Sequence, residues 1–237
     1  MAPRLPSLRT PPIGFAHRGA KAHAPENTIE AFKTALEMGA SGLESDVWLT
    51  VDGHAVLDHD GEFRHGVFGV LKRPIAEMHR AELPEHVPSL ADLYTECGTD
   101  FELSLDIKDP RAVEEVVHVA RRAGAEPRLW LCHWEWKLVA SWRSMTSAKL
   151  VDSTRLARIK EGPERRAALI TEAGIDAINM HRKDWSGGLA ALFHRFDRYA
   201  LGWDAQHERE IDELVRIGVD GIFSDHVDRL MGSINAH

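Results

Sequence analysis

The sequence predicts a (β/α)8 barrel, because short apolar segments rich in β-branched or aromatic residues recur along it with helical patterns between most of them. A second observation is the glycine that ends many of the helical patterns, at positions 39, 98, 124, 174 and 218. A left-handed residue commonly stops a helix there. Strand, helix and glycine in repeated succession are typical of parallel βα units. An open doubly wound sheet is the main alternative, but the sequence contains no GxGxxG or P-loop to favour it.

Eight strands are predicted, over residues 13–17, 42–48, 101–108, 128–133, 149–152, 176–180, 199–203 and 221–224. Predicted helices include residues 27–38, 90–97, 112–122, 164–173 and 208–217. Residues 54–59 also look extended, and the preceding Asp52–Gly53 favours a tight hairpin, so this segment should pair antiparallel with the second strand. Residues 60–88 are expected to form an irregular loop insertion near the barrel mouth. We therefore expect an N-terminal extension, 1–12, and a single barrel domain, 13–237.

Composition restricts the class of protein. With 237 residues, 43% hydrophobic and 28% charged, the chain is typical of one globular α/β barrel. A formal charge of −8 argues against a general nucleic-acid or anionic membrane surface. No apolar run approaches the ~18 residues of a membrane span, and the first twelve residues lack a secretory signal, so a cytoplasmic location is expected. The two cysteines, Cys97 and Cys132, exclude a disulfide framework and a cysteine metal site.

Carboxylates recur on one face of two predicted strands. In "GLESDVWL", Glu44 and Asp46 are two residues apart, so their side chains point the same way. In "FELSLDIK", the same alternation places Asp106 and Lys108 on a polar face. The outer face of a barrel packs on helices, so these polar faces should point into the barrel or its mouth. Buried ion pairs, such as Asp106 with Lys108, are one interpretation; the other is a hard cation such as Mg²⁺ or Ca²⁺ held by Glu44, Asp46 and Asp106.

Two histidines are candidates for proton transfer. His17 ends the first strand and His59 ends the hairpin arm, so both should reach the mouth of the barrel. Two imidazoles can divide the work of a base and an acid, because their pKa lies near neutral pH. Arg18 and Lys108 add positive charge suited to a phosphoryl group. Arg18 is equally a candidate for a structural ion pair with Glu26.

The motifs "AHRG", "APENT", "LESDVWLTVDGHAVLDHD", "VPSLADLY", "LSLDIK", "LGWD" and "GVDGIFSD" resemble, in order and spacing, those of the glycerophosphodiester phosphodiesterases. This resemblance spans residues 14–225. It implies a (β/α)8 barrel that hydrolyses glycerophosphodiesters, small-molecule substrates, to glycerol 3-phosphate and an alcohol.

The resemblance also implies roles for particular residues. His17 and His59 would be the acid and base, and the divalent cation, usually Mg²⁺ or Ca²⁺, would be held by Glu44, Asp46 and Asp106. Arg18, Lys108 and Trp203 would contact the phosphate or the rest of the substrate. Glu26 and Asn27 would form an outer layer around the site, with Asn27 also a candidate cap for the next helix.

Some positions depart from the family pattern. Asp106 replaces a frequent glutamate, and "WDAQ" at residues 203–206 replaces a frequent "WTVN", which bears on contacts to the alcohol. Two alternatives stay open. One is a lipid phosphodiesterase similar to lysophospholipase D or sphingomyelinase D, for which scattered tryptophans would line an acyl groove. The other is a non-catalytic barrel that binds a phosphorylated metabolite.

Overall fold

The computed structural model describes residues 4–65 and 71–237. Its strands in chain order are β1 (Ile13–Ala16), β2 (Gly42–Leu49), β3 (Ala55–Leu57), β4 (Glu62–His65), β5 (Leu71–Pro74), β6 (Glu102–Ile107), β7 (Leu129–His133), β8 (Lys149–Thr154), β9 (Ala177–His181), β10 (Tyr199–Trp203) and β11 (Gly221–Ser224). Its α-helices are α1 (Ile29–Glu37), α2 (Leu90–Cys97), α3 (Val113–Arg122), α4 (Trp136–Ser141), α5 (Pro163–Glu172), α6 (Gly187–Arg195), α7 (Glu208–Arg216) and α8 (Val227–Asn235).

Eight parallel strands close into a barrel in the order β1, β2, β6, β7, β8, β9, β10, β11. The ring closes at β1, which pairs with β11 from Ile13 to Ala16 and with β2 at Phe15 and Ala16. The predicted (β/α)8 barrel is therefore confirmed, and an open doubly wound sheet is excluded. Helices α4, α6 and α8 were not among the helices named from sequence. Helix α4 has only six residues, and α6 begins with Gly187–Gly188, which are poor helix formers.

Side-chain alternation along the strands separates two apolar layers. Leu43, Val47, Leu103 and Leu105 point outward and pack in the layer between barrel and helices. A second layer fills the barrel interior, where Phe15 stacks on Phe223 with ring centroids 4.5 Å apart. A Cβ at Gly42 would lie 2.6 Å from the Phe15 ring, so glycine makes room for this aromatic plug. These apolar side chains fill part of the barrel interior. Polar side chains of the same strands lie at the carboxyl-terminal mouth, where active sites of barrels form.

Helix α1 begins differently from the prediction. Its N-cap is Thr28, whose hydroxyl accepts the Ala31 N–H at 3.2 Å, so the expected cap at Asn27 is wrong. Asn27 has a left-handed backbone with φ +55° and is buried. Its Oδ1 accepts a 2.7 Å hydrogen bond from the Ser45 hydroxyl. Asn27 therefore ties the loop after β1 to strand β2.

The insertion after β2 is more ordered than predicted. Strand β3 pairs antiparallel with β2, which confirms the predicted hairpin arm. Within the stretch predicted as an irregular loop, β4 and β5 form a separate two-stranded sheet, and residues 66–70 lie outside the described residues. A small apolar cluster of Val56, Ile75, Met78, Leu83 and Val87 packs beneath it. Burial of these apolar side chains stabilises a segment whose polar composition predicted an irregular loop.

Residues 4–12 pack at the amino-terminal end of the barrel. Fully buried Asp220 accepts N–H hydrogen bonds from Leu8 at 2.7 Å and Arg9 at 3.0 Å. Arg9 also contacts Glu102, with 3.1 Å between Nη2 and Oε1. The division into an extension, 1–12, and one domain, 13–237, stays a prediction. In the described part of the chain, none of the helices has the length and apolar character that crossing a membrane requires.

Acid stability should depend on Glu126, which follows α3. Hydrogen bonds from Arg121, Thr146 and the Ser147 N–H lower the pKa of Glu126 to about 2. Glu126 is then more acidic in the folded than in the unfolded chain, so its stabilisation is complete above about pH 4.5 and is lost as pH falls toward 2. We expect Glu126→Gln to lower the free energy of unfolding by about 1–3 kcal/mol at pH 7.

Urea unfolding of wild type and Glu126→Gln between pH 7 and pH 3 tests this expectation. The difference between the two proteins should be constant down to about pH 4.5 and shrink below it. Glu213→Gln is the control, since Glu213 is exposed in the middle of α7 and makes no ion pair with a described residue. A Glu126 effect as small as the Glu213 effect would contradict the prediction.

Candidate active site

The predicted site residues converge at the carboxyl-terminal mouth of the barrel. A cavity of about 600 Å³ opens there. Eight of the ten residues singled out from sequence line it, namely His17, Arg18, Glu44, Asp46, His59, Asp106, Lys108 and Trp203. The other two, Glu26 and Asn27, contact lining residues or their strand from behind. Strands β1, β2, β6 and β10 and the turn after β3 thus contribute to one pocket, although these segments are far apart in sequence.

His17 directly follows β1 and is held by Asp225, which directly follows β11. The His17 Nδ1–H donates to Asp225 Oδ1 at 2.5 Å, which leaves Nε2 3.8 Å from Glu44 Oε2. Burial alone would lower the pKa of His17, but the carboxylates of Glu44 and Asp225 outweigh it and raise that pKa. Asp225 was not singled out from sequence, although it ends the quoted motif "GVDGIFSD". The sequence feature that could have identified Asp225 is its position directly after the last predicted strand.

Arg18 turns back into the mouth through a left-handed backbone with φ +52°. Its N–H donates to Glu44 Oε2 at 2.9 Å, and its carbonyl accepts the Asn27 N–H at 3.0 Å. The guanidinium donates to Glu26 Oε1 at 2.9 Å, and its Nε lies 3.4 Å from Asp46 Oδ2. Arg18 therefore forms the structural ion pair with Glu26 and also lines the cavity.

Lys108 bridges two of the carboxylates predicted to bind metal. Its Nζ lies 2.6 Å from Asp106 Oδ2 and 3.0 Å from Asp46 Oδ1, so the ion-pair interpretation of "LDIK" is present in the structure. Burial would lower the pKa of Lys108, but Asp106 and Asp46 raise it well above its ordinary value. The ammonium thus occupies the space between two carboxylates from neighbouring strands.

The carboxylate cluster has the chemistry of a site for a hard cation. Asp46 Oδ2 is buried and makes no hydrogen bond; Arg18 Nε, 3.4 Å away, offsets part of its charge, and a bound cation would satisfy this oxygen further. Burial, reinforced by the charges of Asp46 and Asp106, raises the pKa of Glu44 to about 7 although His17 opposes the shift. The donors are all oxygens, as Mg²⁺ and Ca²⁺ prefer. Glu44, Asp46 and Asp106 therefore offer the donor type that a divalent cation prefers, but in this structure their oxygens do not form a group of three within 4.8 Å of one another, and Lys108 lies between Asp46 and Asp106.

His59 is presented by a tight turn after β3. Its Nδ1 lies 2.8 Å from Asp60 Oδ1, so both cavity histidines have an aspartate on Nδ1. The turn is fastened by Trp48, whose indole N–H donates to the Asp58 carbonyl at 2.9 Å. At Gly61, φ is +71° and an added Cβ would lie 2.3 Å from the Trp48 ring. Trp48 and Gly61 together fix the direction in which His59 points.

The opposite wall of the cavity contains Trp203, which was predicted from sequence, and Arg155, Asn179 and Asp204, which sequence reasoning missed; His181 contacts this wall without lining the cavity. Trp203, at the end of β10, has its ring 5.7 Å from the Arg155 guanidinium and 4.6 Å from the His181 ring. His181 Nε2 pairs with Asp204 at 2.9 Å. Asn179 also lines the cavity, and its Oδ1 is buried without a partner. Arg155 directly follows β8, Asn179 and His181 lie near the end of β9, and Asp204 directly follows β10. Their shared position at the carboxyl-terminal ends of three successive strands could have pointed to them.

Comparison with known proteins assigns this barrel to a class of enzyme, the phosphoric diester hydrolases. The chain belongs to the glycerophosphoryl diester phosphodiesterase family, whose model matches residues 17–229. It is 25% identical over 251 residues to the glycerophosphodiester phosphodiesterase of Caldanaerobacter subterraneus, covering 93% of this chain and 96% of that protein. The probable glycerophosphodiester phosphodiesterase 2 of Mycobacterium tuberculosis is 27% identical, with 92% and 89% covered.

Solved structures share the fold. The putative glycerophosphoryl diester phosphodiesterase of Silicibacter pomeroyi superposes with a TM-score of 0.83 at 24% identity, covering 99% of this chain and 95% of that one. An Oleispira antarctica phosphodiesterase, solved in complex with sn-glycerol-3-phosphate, has a TM-score of 0.81 at 18% identity, with 94% and 97% covered. The resemblance to the glycerophosphodiester phosphodiesterases seen in the sequence is confirmed. The comparisons give no support to the lipid-phosphodiesterase or binding-barrel alternatives.

Moving the turn that carries His59 should lower catalytic activity by more than the accompanying loss of folded protein accounts for. We expect Gly61→Ala to lower kcat/KM for glycerophosphocholine by at least about tenfold, because it would move His59, which the sequence predicts to transfer a proton, and a displacement near 1 Å in such a group is costly. Gly53→Ala is the matched control, since Gly53 also has a positive φ, +82°, but an added Cβ meets nothing within 4 Å. Equal losses of kcat/KM in the two variants, measured at matched folded fraction, would argue against a positioning role for the Trp48–Gly61 contact.

Proposed function

We propose that this protein hydrolyses glycerophosphodiesters to sn-glycerol 3-phosphate and a free alcohol, with His17 and His59 as proton carriers and a divalent cation as cofactor. The supporting observation is the placement of two imidazoles, each with an aspartate on Nδ1, in one cavity with a carboxylate cluster, Arg18 and Lys108. Family membership and the product complex of the Oleispira antarctica protein support the choice of substrate.

In the proposed first step, the imidazole of one histidine removes the proton of the glycerol 2-hydroxyl. That oxygen attacks phosphorus while the bond from phosphorus to the alcohol oxygen breaks, and the other histidine, which begins the step as an imidazolium, donates its Nε2 proton to the departing alcohol. The product still bound is a five-membered cyclic phosphate. Water then opens the ring with the two proton transfers reversed, and glycerol 3-phosphate is released.

Asp225 and Asp60 are positioning residues in this proposal. A carboxylate on Nδ1 holds the imidazole with its proton on that nitrogen, so Nε2 is the atom available for proton transfer. The order in which His17 and His59 act stays open, because it depends on which side of the phosphate the alcohol leaves.

The phosphate charge needs several partners. Arg18 offers a planar guanidinium near the cavity wall, and Lys108 offers an ammonium that is already within reach of two carboxylates. Glu44, Asp46 and Asp106 would hold Mg²⁺ or Ca²⁺, and this cation supplies neutralisation of the charge on the phosphoryl oxygens. Trp203 and Arg155, which contact each other on the opposite wall, would contact the alcohol portion of the substrate.

A substrate panel tests the proposed function. Glycerophosphocholine, glycerophosphoethanolamine, lysophosphatidylcholine and sphingomyelin are incubated with the enzyme in Mg²⁺, in Ca²⁺ and without metal. We expect release of glycerol 3-phosphate from the first two only, and only with metal. Hydrolysis of the lysolipid or sphingomyelin in preference to glycerophosphodiesters would refute the proposed substrate class. No hydrolysis of any substrate, with heat stabilisation by glycerol 3-phosphate alone, would instead support a binding barrel.

A further inference from the structure

A second group of metal-ligating side chains lies outside the lining of the catalytic cavity. It consists of His23, in the loop between β1 and α1, and of His226 and Asp228 at the start of α8. One donor atom from each residue lies within 4.8 Å of the donor atoms of the other two. Within residues 4–65 and 71–237, no other group of three histidine, cysteine or acidic side chains meets this spacing.

The spacing of these donors fits a shared ion. His23 Nε2 and Asp228 Oδ1 are 3.3 Å apart, beyond the about 2.9–3.0 Å that is most common for an N–H···O hydrogen bond. Two ligands bound about 2.0–2.1 Å from a tetrahedral zinc ion are themselves separated by about 3.3–3.4 Å. The distance between His23 and Asp228, which in this structure is that of a long hydrogen bond, is therefore also compatible with joint coordination of one ion.

The backbone places these side chains together independently of any ion. The Ala22 N–H donates to the Asp225 carbonyl at 3.2 Å, which ties the loop after β1 to the turn after β11. The His226 N–H donates to the Ser224 hydroxyl at 3.1 Å, and His226 is the N-cap of α8. His23 and Asp228 are exposed and His226 is half-buried, so an ion can enter from solvent and keep water in its remaining positions.

We propose that His23, His226 and Asp228 form a second divalent-metal site that takes a borderline transition-metal ion such as Zn²⁺. Two imidazoles and one carboxylate suit Zn²⁺, Co²⁺ or Cu²⁺, whereas Mg²⁺ and Ca²⁺ prefer oxygen donors. The site is thus chemically distinct from the all-carboxylate cluster of Glu44, Asp46 and Asp106. It also lies next to the catalytic machinery in the chain, because His226 follows Asp225, the partner of His17.

Calorimetric titration of the untagged protein with Zn²⁺ in excess Mg²⁺ tests this site. Removing the tag excludes added histidines, and excess Mg²⁺ occupies the carboxylate cluster. We expect one equivalent of Zn²⁺ to bind wild type. His226→Asn and His23→Ala should each weaken that binding by more than about tenfold, as loss of a ligand does. The control His118→Ala removes an exposed histidine on α3 and should bind Zn²⁺ as wild type does.

Three outcomes would overturn the proposal. The first is that wild type binds no zinc in excess Mg²⁺, which would leave His23 and Asp228 as a simple ion pair. The second is that His226→Asn and His23→Ala both bind Zn²⁺ with unchanged affinity. The third is that the zinc equivalent is lost in Asp46→Asn but kept in His226→Asn, which would place the ion in the catalytic cavity. Thermal unfolding of each variant without metal checks that the fold is retained, and none of these readouts depends on the proposed hydrolase activity.

Discussion

Replacing His17 with alanine should lower kcat for glycerophosphocholine hydrolysis by about 10²- to 10⁴-fold, the contribution typical of a general acid or base. His17 follows β1 at the mouth, and its Nε2 is left available because Nδ1 is bonded to Asp225. No other imidazole is placed to substitute for it in the described part of the cavity lining, since His59 is assigned the second proton transfer. The measurement is kcat and KM at saturating metal, with the folded fraction checked by denaturant unfolding.

The companion variant Asp225→Asn separates positioning from proton transfer. Asparagine keeps the size of the side chain but loses the charge that holds the Nδ1 proton, so kcat should fall at least about tenfold while KM changes little. Its pH profile should also move, because the hydrogen bond to Asp225 helps to raise the pKa of His17. The matched control His118→Ala removes a histidine from the exposed face of α3. Wild-type kcat in His17→Ala would remove this histidine from the mechanism.

Removing the cation should abolish turnover almost completely. We expect excess EDTA to eliminate hydrolysis and Mg²⁺ or Ca²⁺ to restore it, because the three acidic side chains Glu44, Asp46 and Asp106 line the cavity and a cation would offset their repulsion of a phosphodiester. The variant Asp46→Asn should lower kcat/KM by at least about 10²-fold even with metal present, since it removes a proposed ligand and neutralises the partner of Lys108. Steady-state kinetics across a metal titration measure both effects.

Glu213→Gln serves as the control for the Asp46 variant, because it neutralises a carboxylate on the exposed face of α7. Calcium binding followed by calorimetry gives a readout independent of turnover: wild type should bind at the carboxylate cluster and Asp46→Asn should bind more weakly. Turnover that persists unchanged after dialysis against chelator would contradict a metal role for Glu44, Asp46 and Asp106.

Local patterns in the chain predicted the barrel because strand alternation and helix stops depend on neighbours in sequence. In "FELSLDIK", every second residue is apolar, and Leu103 and Leu105 do pack against the helices while Ser104 and Asp106 line the cavity. The same reasoning identified the hairpin arm from Asp52–Gly53. It underestimated residues 60–88, because the short strands β4 and β5 lack an alternating apolar pattern and are stabilised by a cluster formed with other segments.

Sequence by itself therefore determined the closed barrel, its family, and which strands present imidazoles and carboxylates at the mouth. Only the tertiary structure decided the partners that lie on other segments of the chain: Asp225 on His17 across 208 positions, Ser45 rather than a helix end on Asn27, and Asp46 as a second partner of Lys108 besides the predicted Asp106. It also brought His23 to α8. The physical reason is that side-chain direction is set by local backbone geometry, whereas these contacts form only when segments that are distant in sequence pack side by side in the closed barrel.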